Sequence, residues 1–100
     1  MVKGYWIARL NVHDQTAYEE YRKRNAIAFG LFGGKFLVRG GPFHAVVGEG
    51  RQHNVVIEFP SHDAAIACYR SPEYQAAKRL RDGKGSLDLI VVEGYDGPAH

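Results

Sequence analysis

The chain carries one cysteine, Cys68, in 100 residues. That excludes an intramolecular disulfide and any metal framework built on cysteine. No apolar run approaches the roughly 20 residues that span a bilayer, so no membrane partner is expected. The opening Met1-Val2-Lys3-Gly4-Tyr5-Trp6 has no extended apolar region and no cleavage signal. A reducing cytoplasm is therefore the expected setting. Charge of one sign is also scarce, with a formal net of only +2. The one dense basic stretch, Lys78, Arg79, Arg81 and Lys84, lacks an accompanying aromatic stacking motif. It reads as a solvated helix end rather than a nucleic-acid surface. His13, His53, His62 and His100 are far apart and show no ligand spacing, so neither a metal nor a cofactor is expected.

What the chain does have is the make-up of one small globular domain spanning residues 1–100. It is 45% hydrophobic, too much for a disordered segment of low net charge. Residues 4–12 read as a strand. Asp14 offers an N-cap, and Tyr18, Tyr21, Asn25, Phe29 and Phe32 then recur at helical spacing up to Gly33-Gly34. Residues 35–40 read as a second strand, broken at Gly40-Gly41-Pro42 and resumed at Phe43–Val47. Pro42 cannot donate to a ladder, which suits a sheet edge. After a turn at 48–52, His53–Phe59 is a third strand. Ser61 caps a second helical region, which Ser71-Pro72-Glu73 breaks and restarts, and which ends near Asp82-Gly83. Residues 87–95 form the last strand, and residues 96–100 a loose tail. The expected class is α+β: a ferredoxin-like βαββαβ order, with a four-stranded antiparallel sheet and two helices on one face.

Alternation sorts each strand into two faces. Trp6, Ala8, Leu10 and Val12 are all apolar and should meet the helices, as should Phe36, Val38, Val55, Ile57 and Phe59. The opposite set mixes Tyr5, Ile7, Leu37 and Val56 with Arg9, Arg39 and Glu58. A wet sheet face is normally more polar than that. The expected arrangement is a homodimer whose two sheets face each other.

Arg39-Gly40-Gly41-Pro42, Ile57-Glu58-Phe59-Pro60-Ser61, Tyr69-Arg70-Ser71-Pro72-Glu73-Tyr74 and Val92-Glu93-Gly94-Tyr95 resemble a bacterial family, the domain of unknown function numbered 1330. The likeness runs from about Gly4 to Pro98. It implies the dimeric α+β-barrel superfamily. That superfamily holds cofactor-free monooxygenases, isomerases, haem enzymes and plain ligand binders, so the resemblance implies a fold and not an activity.

The candidate site lies on the mixed face. Arg39 has the fork that suits a carboxylate, and strand parity sets it beside Glu58, either as a ligand group or as an ion pair. Arg9 and Tyr5 are further ligand-binding candidates. A partly desolvated Glu58 suits a general base, and His44, beyond the glycine break, can titrate near neutrality. Tyr18 and Tyr21 read as helix core, Cys68 as an inert core thiol, and Ser61 and Ser71 as caps rather than nucleophiles. Two functions fit: a dimeric binder of a small anionic or aromatic ligand, or a cofactor-free isomerase or monooxygenase acting on such a compound.

Overall fold

A computed structural model describes residues 2–98. The elements follow in the order β1 (Gly4–Val12), α1 (Gln15–Leu31), β2 (Lys35–Arg39), β3 (His53–Phe59), α2 (His62–Arg70), α3 (Pro72–Arg81) and β4 (Gly85–Glu93). The helical region after β3 is thus two helices. Ser71 divides them: its hydroxyl donates to the Cys68 carbonyl at the end of α2 and accepts from Tyr74 N at the start of α3. Ser61 and Asp14 cap α2 and α1 in the same way, accepting from Ala64 N and Ala17 N.

The sheet order is β2-β3-β1-β4 with every neighbour antiparallel, so β2 does lie at an edge. One face meets the helices. Trp6 shows how: it packs edge-on against Phe29 of α1 and Tyr74 of α3, and its Nε1 donates to the Ala65 carbonyl of α2 at 2.8 Å. Leu10, Ile57 and Phe59 complete the sheet side of this core. No helix of the described residues is long and apolar enough to cross a membrane.

Three expectations need correction. Phe43–Val47 does not resume the strand. Gly40 turns the chain with φ of +70°, a left-handed conformation natural to glycine, and Pro42 brings no donor to the ladder. The segment loops outward, with Val46 87% and Val47 92% exposed. The last strand begins two residues earlier than expected, at Gly85, and ends at Glu93. Asp96–Pro98 form no regular element, and residues 99 and 100 of the expected tail, including His100, lie outside the described residues.

The third correction moves a site residue. β2 pairs with β3 as Lys35 opposite Glu58, Phe36 opposite Ile57, Val38 opposite Val56 and Arg39 opposite Val55. Leu37 is an extra residue, a bulge, and parity inverts after it. Val38 therefore faces away from the helices, and Arg39 faces towards them.

Candidate functional site

The sheet face away from the helices keeps part of the predicted constellation. Tyr5 lies directly opposite Glu58 and donates its phenolic proton to Glu58 Oε2 at 3.1 Å. That bond to a carboxylate holds the Tyr5 pKa above its usual value. The other predicted partners are elsewhere. Arg9 is exposed and donates to the Glu49 carbonyl at 3.1 Å. His44 sits in the exposed loop after β2. Arg39 forms no ion pair with Glu58, because the bulge carries it to the other face. Beside Tyr5 and Glu58 the face has an apolar band: Ile7 lies opposite Val56 and Ile90, and Ile90 and Val92 are exposed, while Lys35 lies opposite Glu58 at the edge.

A second constellation lies on the helix face, in a cleft between α1, α3 and the sheet. Three physical causes assemble it. On α1 the stripe that buries Tyr21 and Phe29 also buries Asn25, which lies one turn from each. On α3 the Ser71 cap fixes the helix start, and the 3–4 spacing of Tyr74, Ala77 and Arg81 places all three inward. On β2 the bulge brings Arg39 over the Phe36 ring, with Cζ 4.2 Å from its centroid.

Three of these groups, Arg81, Tyr74 and Tyr21, form a connected chain. Arg81 Nη2 donates to the Tyr74 hydroxyl at 3.0 Å, and the Tyr74 and Tyr21 hydroxyls are 2.8 Å apart. The Arg81 guanidinium also sits over the Tyr21 ring, 5.2 Å from its centroid. Burial pushes the Tyr74 pKa far up, with the Tyr21 hydroxyl adding to it and Arg81 opposing. Burial raises Tyr18 as well, against the pull of Arg22 beside its ring. Both phenols therefore keep their protons at neutral pH. At the margin the His53 imidazole stacks on Tyr18, 5.0 Å between centroids.

The lining of the cleft includes Arg22, Arg39 and Arg81 and no carboxylate, although Glu19 and Asp82 pair with Arg22 and Arg81 from outside it at 3.9 and 3.7 Å. Its walls are otherwise aromatic and aliphatic, with Trp6, Phe29 and Phe36 among them. The space is about 520 Å³ when the open mouth is counted, but the part that admits a water-sized sphere is only about 40 Å³. The smaller figure describes the interior, which has room for a few water molecules, so anything the size of an aromatic ring fits only at the mouth. Chemically the cleft offers positive charge and hydroxyl donors on an apolar floor, a setting that retains an anion.

Sequence reasoning read Arg81 as part of a solvated helix end. Its side chain is 14% exposed, because Tyr74 and Tyr21 cover it. Asn25, Tyr74 and Arg22 were not candidates either. The signal for Asn25 was legible: it is the one polar residue in an otherwise aromatic stripe. Among the described residues no three His, Cys, Asp or Glu side chains cluster as a metal site would require.

The fold has solved counterparts. A protein of unknown function from Rhodopseudomonas palustris is 20% identical, over 96% of this chain and 85% of its own, with a TM-score of 0.79. SnoaB, a cofactor-independent oxygenase from Streptomyces nogalater, is 14% identical over the full length of both chains, with a TM-score of 0.64. A dimeric protein of unknown function and ferredoxin-like fold from Bacteroides fragilis is 13% identical, over 91% of this chain and 95% of its own, with a TM-score of 0.62. At these identities the likeness is one of fold. No curated protein matches the chain. The family model described as domain of unknown function (DUF1330) matches residues 3–95, nearly the whole length, and the chain belongs to that family.

Proposed function

We propose that this protein is a homodimeric binder of small anionic aromatic compounds, with the ligand at the mouth of the helix-side cleft and the dimer formed through the opposite sheet face. One observation carries the ligand reading: three arginines and a buried, hydrogen-bonded tyrosine pair line one cleft, and of the three only Arg39 has no carboxylate partner among the described residues. Arg39 keeps its role as a ligand group, but from the helix side. Tyr5 and Glu58 pair across the sheet and belong to the dimer face. The dimer is supported by the exposed Ile90, Val92 and Val38 on that face, and by a dimeric protein among the structural counterparts. A ferredoxin-like α+β barrel of two facing sheets follows from it. The single buried free thiol, Cys68, suits a reducing cytoplasm.

A second reading, a cofactor-free isomerase or monooxygenase, draws on the Arg81–Tyr74–Tyr21 chain, which can stabilise a developing oxyanion. The counterpart SnoaB is described as a cofactor-independent oxygenase. We favour binding, because burial keeps the proton on Tyr74 and no carboxylate lines the cleft to abstract one.

Crystals soaked with benzoate test the site. Density beside Arg81 and Arg39 is the expected result. Density between facing sheets, beside Tyr5 and Glu58, would overturn the placement.

A further inference from the structure

The two edges of the sheet are protected unequally. β2 is five residues long and bulged, two features that keep a sheet edge from pairing with another strand. β4 runs nine residues, Gly85–Glu93, with no proline and no break in its register against β1. Alternate residues of an edge strand turn their N–H and C=O groups away from the neighbouring strand, so β4 presents a row of free backbone groups. Under this edge lies a groove of about 440 Å³, lined from the sheet by Leu87, Leu89 and Val91 and from the end of α3 by Lys78 and Asp82. On the other face the same strand exposes Ile90 and Val92.

The chain also has a strand sequence without a sheet. Phe43–Val47 is apolar and β-branched at its end, and lies between Pro42 and Gly48. Among the described residues, none of its backbone groups bonds to another backbone group. Val46 and Val47 are almost fully exposed. Adjacent valines in an extended chain point to opposite faces. Both are buried at once only where apolar surface lies on either side of the segment. The β4 edge meets that condition, with Leu87, Leu89 and Val91 on one side and Ile90 and Val92 on the other.

The base of this loop is fastened to the sheet face away from the helices. Arg9 donates to the Glu49 carbonyl, Arg51 pairs with Asp88 of β4, and Gln52 N donates to Asn11 Oδ1. Resting on the dimer reading above, we propose that Phe43–Val47 of each protomer pairs with the β4 edge of its partner, giving each sheet a fifth strand. Within one chain the segment and the edge stay apart. A two-fold axis brings each to its match in the other copy, so the contact is reciprocal and closed. In the single chain the Phe43 ring lies against Gly50, a small contact that pairing replaces.

Light scattering and amide hydrogen exchange on the full chain test this, with wild type beside the double variant Val46→Asp, Val47→Asp. Both positions are exposed in the single chain, so the acids leave the protomer folded. The wild type should be a dimer in which alternate amides between Leu87 and Val91 exchange at least about tenfold more slowly than in the variant. The variant should dimerise at least about tenfold more weakly, with β1 amides unchanged. A wild-type dimer whose outward β4 amides exchange as fast as the variant's overturns the strand pairing and leaves the dimer reading standing. A variant that dimerises as tightly as wild type does the same. A monomeric wild type overturns both. Should the variant fail to fold, the wild type decides alone: outward β4 amides exchanging at the rate of an unstructured chain overturn the pairing, and protected ones support it.

Discussion

The Tyr21 hydroxyl lies 2.8 Å from that of Tyr74, although the two residues are 53 positions apart. This bond ties α1 to α3 across the core, and Arg81 extends it by donating to Tyr74. Tyr74 is fully buried, so its hydroxyl needs these partners. Tyr21→Phe removes one hydroxyl and leaves Arg81 to satisfy the other. Stability should fall by about 1 kcal/mol, read as a lower urea midpoint with an unchanged slope. Tyr74→Phe should cost more, about 1–3 kcal/mol, because it leaves both Tyr21 and Arg81 short of a partner. Equal costs would show that the chain from Arg81 to Tyr21 does not act as a unit.

The sheet face predicts a mass. Ile90 is 56% exposed and stands beside Ile7, which faces Val56 from the next strand. Light scattering should give about twice the 11.2 kDa chain mass. Ile90→Lys should yield a folded monomer, because an exposed position tolerates the charge in the monomer while a buried interface does not. A monomeric wild type at micromolar concentration, or an intact Ile90→Lys dimer, would count against the interface.

Asn25 carries an unpaired polar atom into the core. Its amide oxygen is buried without a partner, and an apolar side chain of the same size removes that cost. Asn25→Leu should raise stability by about 1 kcal/mol in the absence of ligand. Thermal unfolding checks this, and a lowered midpoint would mean that ordered water or relaxation already satisfies the amide.

Arg39 separates the two faces of the sheet. It is exposed, and its contact with the Phe36 ring should contribute no more than about 1 kcal/mol. Arg39→Ala should therefore leave the dimer mass unchanged and weaken binding of an aromatic acid by about tenfold. Loss of the dimer would return Arg39 to the face that carries Glu58.

Periodicity and caps made most of the fold legible. Asp14, Ser61 and Ser71 cap helices as their residue types suggest, and the alternation in β1 and β3 assigns the correct faces. The site was less legible, for two physical reasons. A bulge adds one residue without changing composition, so parity counted through Leu37 put Arg39 on the wrong face. Arg81 belongs to a helix whose last turn is basic and looks solvated, and only the packing of α3 against α1 buries it. The aromatic residues of α1 were correctly read as core. Spacing alone does not show that the Tyr21 hydroxyl meets Tyr74, to which Arg81 donates.

Alkaline stability gives the last test. Burial raises the Cys68 thiol from 9.0 to about 12, and burial raises Tyr74 in the same direction. For groups of this kind the folded state retains the proton longer than the unfolded chain does. Their contribution is therefore complete below pH 9, the unfolded thiol's range, and is lost as pH rises towards about 12. The urea midpoint should stay level between neutrality and about pH 9, then fall steadily above it. Cys68→Ala removes one of these groups and leaves a small cavity, at a cost of about 1 kcal/mol near neutral pH. Its midpoint should start lower and fall less steeply above pH 9, so the two curves should converge. The same burial keeps the thiol protonated, so iodoacetamide should label Cys68 in urea and not in the native protein. Parallel curves for wild type and Cys68→Ala would assign the alkaline loss to Tyr74 and the other phenols, and rapid native labelling would show that Cys68 is not sealed in the core.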